Sequence, residues 1–234
     1  MYQNLQKTKG LVQSVFDKVF DKYDFMNDVM SLGIHRYWKN ELIRMMKPNR
    51  HQNLIDVGCG TGDIGVLYTK ATDEKGDVLS VDPNEKMISA GKKKLKKYKN
   101  IKWKLCSAEK LSVPDSAFDF YTISFGLRNT KDIEKSISEA YRVLKKGGRF
   151  FCLEFSKIEN HNLDLIYQKY SKIIPKIGKV VVGDDKPYEY LIKSINEFLN
   201  QKQLLEILEK NKFVNCKYRN LSGGIVSIHS GWKI

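Results

Sequence analysis

The chain has 234 residues, of which 41% are hydrophobic and 29% are charged, a balance typical of a folded, water-soluble domain. This length fits one α/β domain with additions, and no apolar run in the sequence reaches the ~20 residues that span a bilayer. The four cysteines form no C-x-x-C pair, which argues against a disulfide frame and a zinc site and predicts no metal. The net charge of +14 leaves nucleic acid and anionic membrane surfaces open as partners, although frequent lysine also occurs without either.

The chain begins with a predicted helical region over about residues 10–47, because apolar side chains from Val12 to Phe20 recur at helical spacing. Short apolar strands and helices then alternate. The predicted strands are 53–57, 77–81, 101–106, 118–124 and 149–155, and the predicted helices are 64–71, 85–98 and 131–144. Such alternation indicates a mostly parallel sheet with right-handed crossovers.

The alternation stops after residue 156. Two further helices are predicted at 161–174 and 187–210, with Pro175 and a turn-rich stretch between them. Strands at 213–219 and 224–230 follow, and their short joining loop predicts an antiparallel hairpin at a sheet edge. The predicted fold class is therefore α/β: a Rossmann-like doubly wound, mostly parallel seven-stranded sheet, with N-terminal helices and a helical insertion before the last two strands.

A glycine-rich turn joins the first predicted strand to the next helix. Residues 56–63 are D-V-G-C-G-T-G-D, which places Gly58, Gly60 and Gly62 in the turn. The dinucleotide fingerprint G-x-G-x-x-G fails here because residue 63 is an aspartate. Asp63 at a helix start would also repel a pyrophosphate. A cationic sulfonium ligand with a zwitterionic amino-acid tail suits the turn better.

Three further polar positions follow the next strands in order. The second strand ends at Asp82, whose carboxylate can accept hydrogen bonds from both hydroxyls of a ribose. Ser107 and Ala108 follow the third strand, where an adenine edge would lie, and Ser124 ends the fourth. Each position alone also fits a turn or a helix cap. Together, in this order, they resemble the class I S-adenosylmethionine-dependent methyltransferases.

More specific stretches lie at residues 23–38, 123–129, 142–156 and 187–191 and at the C-terminus from Gly223 to Gly231. They closely resemble the ubiquinone/menaquinone biosynthesis C-methyltransferase family over about residues 12–234. The resemblance implies methylation of a ring carbon of a polyprenylated benzoquinol or naphthoquinol, with S-adenosylmethionine as the cofactor. It also implies one methyltransferase domain, 1–234, composed of a helical lid (1–50), a cofactor-binding core (51–156), a helical insertion (157–200) and a terminal helix with a strand pair (201–234).

The family's cofactor contacts fall on five positions of this chain. These are Thr61, Asp82, Ser107, Ala108 and Ser124, and the motif adds Asp56, Gly58 and Gly60. Residue 107 is serine where the family usually has Asn or Asp, so the adenine contact there would depend on the backbone and Ala108. Phe198-Leu199 replaces a Phe-Pro step, which leaves the course of that helix open.

The catalytic candidates are Arg128, His35 and Glu154. We expect Arg128, directly after the fourth strand, to stabilise the oxyanion of the quinol, with a carboxylate or His35 taking the proton. A structural histidine is the alternative for His35. Glu154 ends an otherwise apolar strand, so its carboxylate must be paired or functional. Residues 23–38 are expected to fold over the cofactor cleft as a lid.

The polyprenyl tail predicts contact with lipid, and basic and apolar residues occur together in the insertion, residues 157–199. A cap packed on the sheet explains them equally well. The expected location is the cytoplasm, with peripheral contact at the inner face of the membrane and with a quinone-biosynthesis assembly or a homodimer as further partners. An RNA methyltransferase, another small-molecule methyltransferase and a non-enzymatic binding subunit are the alternatives. No nucleic acid is expected, because residues 124–127 are S-F-G-L and lack the Pro-Pro-aromatic motif of amino-methylating enzymes.

Overall fold

A computed structural model describes Asp28, Ser31 and residues 33–182 and 186–234, apart from the side chains of residues 172–182. Within these residues, seven strands form one sheet in the order β3-β2-β1-β4-β5-β7-β6. The strands are β1 (Leu54–Val57), β2 (Val78–Asp82), β3 (Ile101–Leu105), β4 (Phe118–Ser124), β5 (Leu144–Phe155), β6 (Val214–Leu221) and β7 (Val226–Trp232). β1 to β5 are parallel, and β7 is antiparallel to both of its neighbours, which confirms the predicted fold class.

Helices cover both faces of this sheet. The helices are α1 (His35–Met46), α2 (Asp63–Ala71), α3 (Glu85–Lys94), α4 (Ile133–Val143), α5 (His161–Val182), α6 (Lys186–Glu197) and α7 (Gln201–Lys210). Successive strand residues point to opposite faces, so Phe120 and Phe151 pack with α1, α2 and α6, while Tyr121 and Phe150 pack with α4 and α7. Every residue of β1 is buried, as expected for a parallel strand covered on both faces.

The chain changes direction along the sheet between β1 and β4. β1 pairs with β2 on one side and with β4 on the other, so the crossovers before and after it lie on opposite faces. In open α/β sheets the crevice at such a point, outside the carboxyl ends of the strands, is where ligands bind. Gly58, Asp82 and Phe125 lie at this edge, since they follow or end β1, β2 and β4.

Several element bounds differ from the sequence prediction. The predicted helix 161–174 continues through Pro175 to Val182 as α5, despite the backbone hydrogen bond that proline cannot donate. The predicted helix 85–98 ends at Lys94. β5 begins at Leu144 rather than at residue 149, because it includes a register shift opposite Phe118 and Phe120. The predicted first helical region is described from residue 33, apart from Asp28 and Ser31, and α1 confirms its second part; the rest lies outside the described residues.

The predicted helix 187–210 is two helices, and the break has a local cause. Asn200 caps α7: its side chain accepts a hydrogen bond from the backbone N–H of Gln203, and the Gln203 side chain accepts one from the backbone N–H of Asn200. This reciprocal capping box satisfies two backbone donors at once and fixes a helix start. α6 therefore ends at Glu197, before the Phe198-Leu199 step.

Candidate functional site

A cavity of about 530 Å³, here called the main cavity, opens at the carboxyl ends of β1, β2 and β4. The glycine-rich turn and the loops after β2, β3 and β4 line it. Five of the predicted cofactor residues are among its lining residues: Gly58, Gly60, Asp82, Ser107 and Ala108. The sequence therefore predicted positions that the fold does bring together.

Asp82 fixes the shape of the turn beneath the main cavity. Its Oδ2 accepts a hydrogen bond from the backbone N–H of Gly60, and its Oδ1 accepts one from the backbone N–H of Asn84, both at 2.9 Å. Burial raises the pKa of Asp82 to about 6, although both N–H donors act to lower it. Each carboxylate oxygen keeps a second lone pair, so Asp82 can still accept hydrogen bonds from a ligand's hydroxyls.

Gly62 has no room for a side chain. Its φ is +91°, and a Cβ at this position would lie 2.7 Å from the Trp103 ring. Trp103, on β3, therefore packs against the start of α2 only because residue 62 is glycine. This contact fixes where the turn ends and where α2 begins.

A second, smaller cavity adjoins the first, and Gly58 and Phe125 line both. The small cavity is lined further by Lys39, Cys59, Ile64 and Asp63 and by three predicted residues, Asp56, Thr61 and Ser124. The eight predicted cofactor residues thus all line one of two adjoining cavities.

Two buried oxygen atoms of the small cavity's lining residues have no hydrogen-bond partner among the described residues. Oδ1 of Asp56 accepts a hydrogen bond of 2.8 Å from the Thr122 hydroxyl, but Oδ2 of Asp56 and Oγ of Ser124 accept or donate none. Burial raises the pKa of Asp56 to about 7. An unsatisfied buried polar group costs about 1–3 kcal/mol, so these atoms indicate a place for a polar ligand.

Lys39, which the sequence did not single out, brings a positive charge to the small cavity. Its Nζ lies 2.8 Å from Oδ2 of Asp63, and Nζ of Lys94 lies 3.2 Å from Oδ1 of the same carboxylate. Burial alone would raise the pKa of Asp63, but the two lysines outweigh it and lower the pKa to about 2. Lys39 is on α1, outside every motif of the alternating core, so only the packing of α1 shows its position.

Arg128 and Glu154 form a buried ion pair with each other. Nη1 of Arg128 lies 2.6 Å from Oε1 of Glu154 and also donates a hydrogen bond of 2.6 Å to the carbonyl of Phe125. The same Oε1 accepts a hydrogen bond from the backbone N–H of Phe155. Of the two possibilities for Glu154, the structure thus shows pairing. Neither side chain is among the described residues that line the two cavities.

His35 lies at the start of α1, one turn before Lys39. Its Nε2 is 3.0 Å from Oδ1 of Asp28, and its backbone N–H donates to Oγ of Ser31. Burial, followed by the charge of Lys39, lowers the pKa of His35. His35 is not among the described lining residues of either cavity, so its role as a base stays a prediction.

The helical insertion reaches the main cavity through Asn129. The Tyr190 hydroxyl, on α6, donates a hydrogen bond of 3.1 Å to Oδ1 of Asn129, which lines the main cavity. Glu109 ties two other lining loops together, since its Oε1 accepts a hydrogen bond from the backbone N–H of Lys131. Within the part of the chain that the structure describes, no cluster of three or more His, Cys, Asp or Glu residues could hold a metal ion.

Comparison with known proteins identifies close relatives along nearly the whole chain. A family model for the ubiE/COQ5 methyltransferase family matches residues 2–233. The ubiquinone/menaquinone biosynthesis C-methyltransferase UbiE of Rickettsia bellii (strain OSU 85-389) is 47% identical over 233 residues, which cover 97% of this chain and 94% of the relative. The protein of the same name from Rickettsia prowazekii is 46% identical over 235 residues, with the same coverage.

Solved structures with the same fold are more distant in sequence. A possible histamine N-methyltransferase of Thermotoga maritima has a TM-score of 0.67 at 18% identity and covers 95% of this chain and 100% of its own. Phospholethanolamine N-methyltransferase 2 of Haemonchus contortus, solved with phosphomonomethylethanolamine and S-adenosylhomocysteine, has a TM-score of 0.69 at 14% identity and covers 95% of this chain and 60% of its own. At these identities the likeness shows the methyltransferase fold alone.

Proposed function

Because the chain belongs to the ubiE/COQ5 methyltransferase family, we propose that it methylates a ring carbon of a polyprenylated benzoquinol or naphthoquinol in ubiquinone or menaquinone biosynthesis. The chain is an S-adenosylmethionine-dependent C-methyltransferase, and the near-full-length identity to such enzymes carries the proposal. The family match favours a quinol over the RNA substrate that the net charge had left open.

S-adenosylmethionine fits the two cavities at this sheet edge. When bound, it supplies a methyl group on a positively charged sulfur atom. Asp82 would accept the ribose hydroxyls, and Ser107 and Ala108 would flank the adenine, since all three line the main cavity. The amino-acid end would enter the small cavity, where Thr61 and Ser124 lie and where the unpartnered oxygen atoms of Asp56 and Ser124 are.

Arg128 is positioned to act on the quinol through its charge. A phenol titrates near pH 10, so a carbon nucleophile of the quinol requires stabilisation of the phenolate. Arg128 is buried and neighbours Asn129, which lines the main cavity, so its positive charge would act across a poorly screened distance. Glu154 would hold Arg128 in place as a positioning residue. A carboxylate or His35, through water, remains the proposed proton acceptor.

Complementation of a quinone-deficient strain tests the function directly. Lipid extracts of a strain lacking its own C-methyltransferase contain the quinone precursor without one methyl group. Expression of this chain should remove that precursor, and the mass of the product identifies the ring. The Asp82→Ala variant is the matched control, because it should leave the precursor in place. Persistence of the precursor with the wild-type chain expressed would refute the proposed substrate class.

The tail of the substrate requires access to lipid, which we propose occurs at α5. No helix among the described residues is both long enough and apolar enough to cross a membrane. On α5, however, Leu165 is 43% exposed and Ile166 is 65% exposed, and the neighbouring Lys169 is exposed as well. Exposed apolar side chains beside lysine fit peripheral binding at an anionic surface on the cytoplasmic face, where each lysine contributes about 1 kcal/mol.

Vesicle sedimentation separates this membrane surface from a simple cap. The wild-type protein should sediment with anionic vesicles more than with neutral ones, and Leu165→Ser/Ile166→Ser should reduce sedimentation. Leu105→Ser is the matched control, because Leu105 is 53% exposed but lies on β3. Equal sedimentation of the double variant and the wild type would contradict the proposal. Membership of a quinone-biosynthesis assembly and a homodimer are further proposals, for which light scattering of the purified chain, alone and with candidate partners, is the test.

A further inference from the structure

Lys39 is more buried than its ion pair requires. Its side chain is 9% exposed, whereas that of Lys94, which pairs with the same Asp63 carboxylate, is 42% exposed. Lys94 already neutralises Asp63 at a position open to water. Placing a second ammonium group in a nearly buried position costs several kcal/mol unless its hydrogen bonds are satisfied. The position of Lys39 therefore calls for a further partner.

The small cavity offers groups of both charges to a ligand. An ammonium group has three N–H donors, and one of those on Lys39 is directed at Asp63. Oδ2 of Asp56, buried and without a partner among the described residues, is an acceptor in the wall of the same cavity. A donor of positive charge and an acceptor of negative charge in one small cavity match a zwitterion.

We propose that the small cavity recognises the amino-acid end of S-adenosylmethionine, with Lys39 Nζ binding the carboxylate and Asp56 Oδ2 accepting a hydrogen bond from the ammonium group. This assignment rests on S-adenosylmethionine as the cofactor. Asp63 acts as a positioning residue, because it holds Lys39 at the cavity wall. Since Gly58 and Phe125 line both cavities, one ligand can extend from the main cavity into the small one.

The backbone around Gly58 keeps the passage between the cavities narrow but open. Gly58 has a φ of +63°, and a Cβ built on it would lie 3.7 Å from the Cα of Gly126 in the loop after β4. Two glycines therefore face each other where the cavities adjoin, and neither places a side chain between them. A ligand with its sulfur beside Gly58 would have its nucleoside on one side and its amino-acid end on the other.

The competing explanation is that Lys39 only ties α1 to α2 through Asp63. Ligands that differ in the amino-acid end separate the two explanations. S-adenosylhomocysteine has both the carboxylate and the ammonium group, its decarboxylated analogue keeps only the ammonium group, and 5′-methylthioadenosine lacks both. A residue that recognises the carboxylate affects the first ligand alone, whereas a structural tie affects all three equally.

Calorimetric titration of the full chain with these ligands tests the proposal. Lys39→Met should weaken S-adenosylhomocysteine binding about 10- to 100-fold, the range for a hydrogen bond to a charged group, and leave 5′-methylthioadenosine within roughly twofold of wild type. Lys94→Met is the matched control, because it removes the other partner of Asp63, and it should leave both affinities within roughly threefold. Asp56→Asn should weaken the decarboxylated analogue but not 5′-methylthioadenosine.

Two outcomes would overturn the proposal while leaving the enzyme's function intact. One is an unchanged S-adenosylhomocysteine affinity in Lys39→Met, and the other is an equal loss for all three ligands. The wild-type protein alone supplies a further test, which does not depend on folding of the variant: it should bind the decarboxylated analogue about tenfold or more weakly than S-adenosylhomocysteine, and equal affinities would refute the carboxylate site. Failure of the wild type to bind any of the three would refute the cofactor assignment itself.

Discussion

The ion pair between Arg128 and Glu154 makes the loss of one partner more costly than the loss of both. The two side chains are 5% and 1% exposed, and Nη1 lies 2.6 Å from Oε1. Glu154→Gln keeps the shape of the side chain but leaves the Arg128 charge buried without its carboxylate. Breaking such a pair costs about 3–5 kcal/mol, and solvent screening does not reduce this value because both groups are almost wholly buried. We expect a loss of stability in that range.

Replacing both partners should restore most of that stability. Arg128→Met/Glu154→Met exchanges the pair for apolar side chains of similar length, which removes the desolvation cost together with the attraction. We expect the double variant to lie within about 2 kcal/mol of wild type. Urea unfolding followed by tryptophan fluorescence measures all the variants. A loss below about 1 kcal/mol for Glu154→Gln, or a double variant no more stable than Glu154→Gln, would refute the reasoning.

The same double variant separates stability from chemistry. If Arg128 stabilises the phenolate, the folded double variant should bind S-adenosylhomocysteine normally and yet lose about 10²–10³ in turnover of a quinol analogue, as for other single electrostatic donors. Arg142→Met is a matched control, because Arg142 also forms ion pairs, with Glu139 and Asp115, but lies away from both cavities. Unchanged turnover in Arg128→Met/Glu154→Met would remove Arg128 from the mechanism.

Three further predictions concern the cofactor site. Asp82→Ala should weaken S-adenosylmethionine binding by about 1.5–3 kcal/mol in calorimetry, and an affinity within about twofold of wild type would mean that the ribose lies elsewhere. Gly91→Ala should destabilise the fold by about 1–3 kcal/mol in urea unfolding, because the added Cβ would lie 2.3 Å from the Trp103 ring; an unchanged midpoint would contradict this. Burial raises the pKa of Asp56 from its ordinary 3.8 to about 7, so the folded state holds this proton more tightly than the unfolded chain and stability falls as pH rises between these values. Asp56→Asn should flatten that fall by up to about 1.4 kcal/mol per pH unit, and equal pH slopes for the variant and the wild type would contradict the assignment.

The sheet could be predicted from the sequence because its strands are local patterns with sharp ends. Strands such as β1 and β4 are short apolar runs that end in glycine or in polar residues, and these signals depend on only a few neighbouring residues. The bounds of the later helices were less predictable. Pro175 was expected to end a helix that continues, and the capping box at Asn200 was overlooked although it is a local signal.

The candidate site divides in the same way. Asp82 and Gly58 follow strand ends directly, so their position in the fold follows from their position in the chain. Lys39, in contrast, reaches the small cavity only because α1 packs on α2, and Tyr190 reaches Asn129 across 61 residues. The pairing of Arg128 with Glu154 joins two neighbouring strands, β4 and β5, across 26 residues. Such contacts depend on tertiary packing, which no local pattern of residues determines.

The start of α1 connects the predicted lid, residues 23–38, to the cavities. Most of this segment lies outside the described residues, but Trp38 is buried between Phe125 and Phe155, with ring centroids 6.2 Å from each. Trp38 Nε1 also donates a hydrogen bond of 2.9 Å to Oγ of Ser222. The residue after Trp38 is Lys39, in the wall of the small cavity. A ligand bound at Lys39 would therefore hold the first turn of α1 in place.

Hydrogen exchange measures whether this segment responds to the cofactor. We expect S-adenosylhomocysteine to slow exchange over residues 20–38, because a reactive sulfonium must be shielded from water and the open crevice has no cover from the sheet itself. Peptides from α7 are the internal control, since α7 packs on the opposite face from α1 and should exchange at the same rate with and without ligand. Lys39→Met should reduce the new protection if the ligand acts through α1. Equal exchange over residues 20–38 in both states would mean that the segment is static scaffold and that something else covers the quinol.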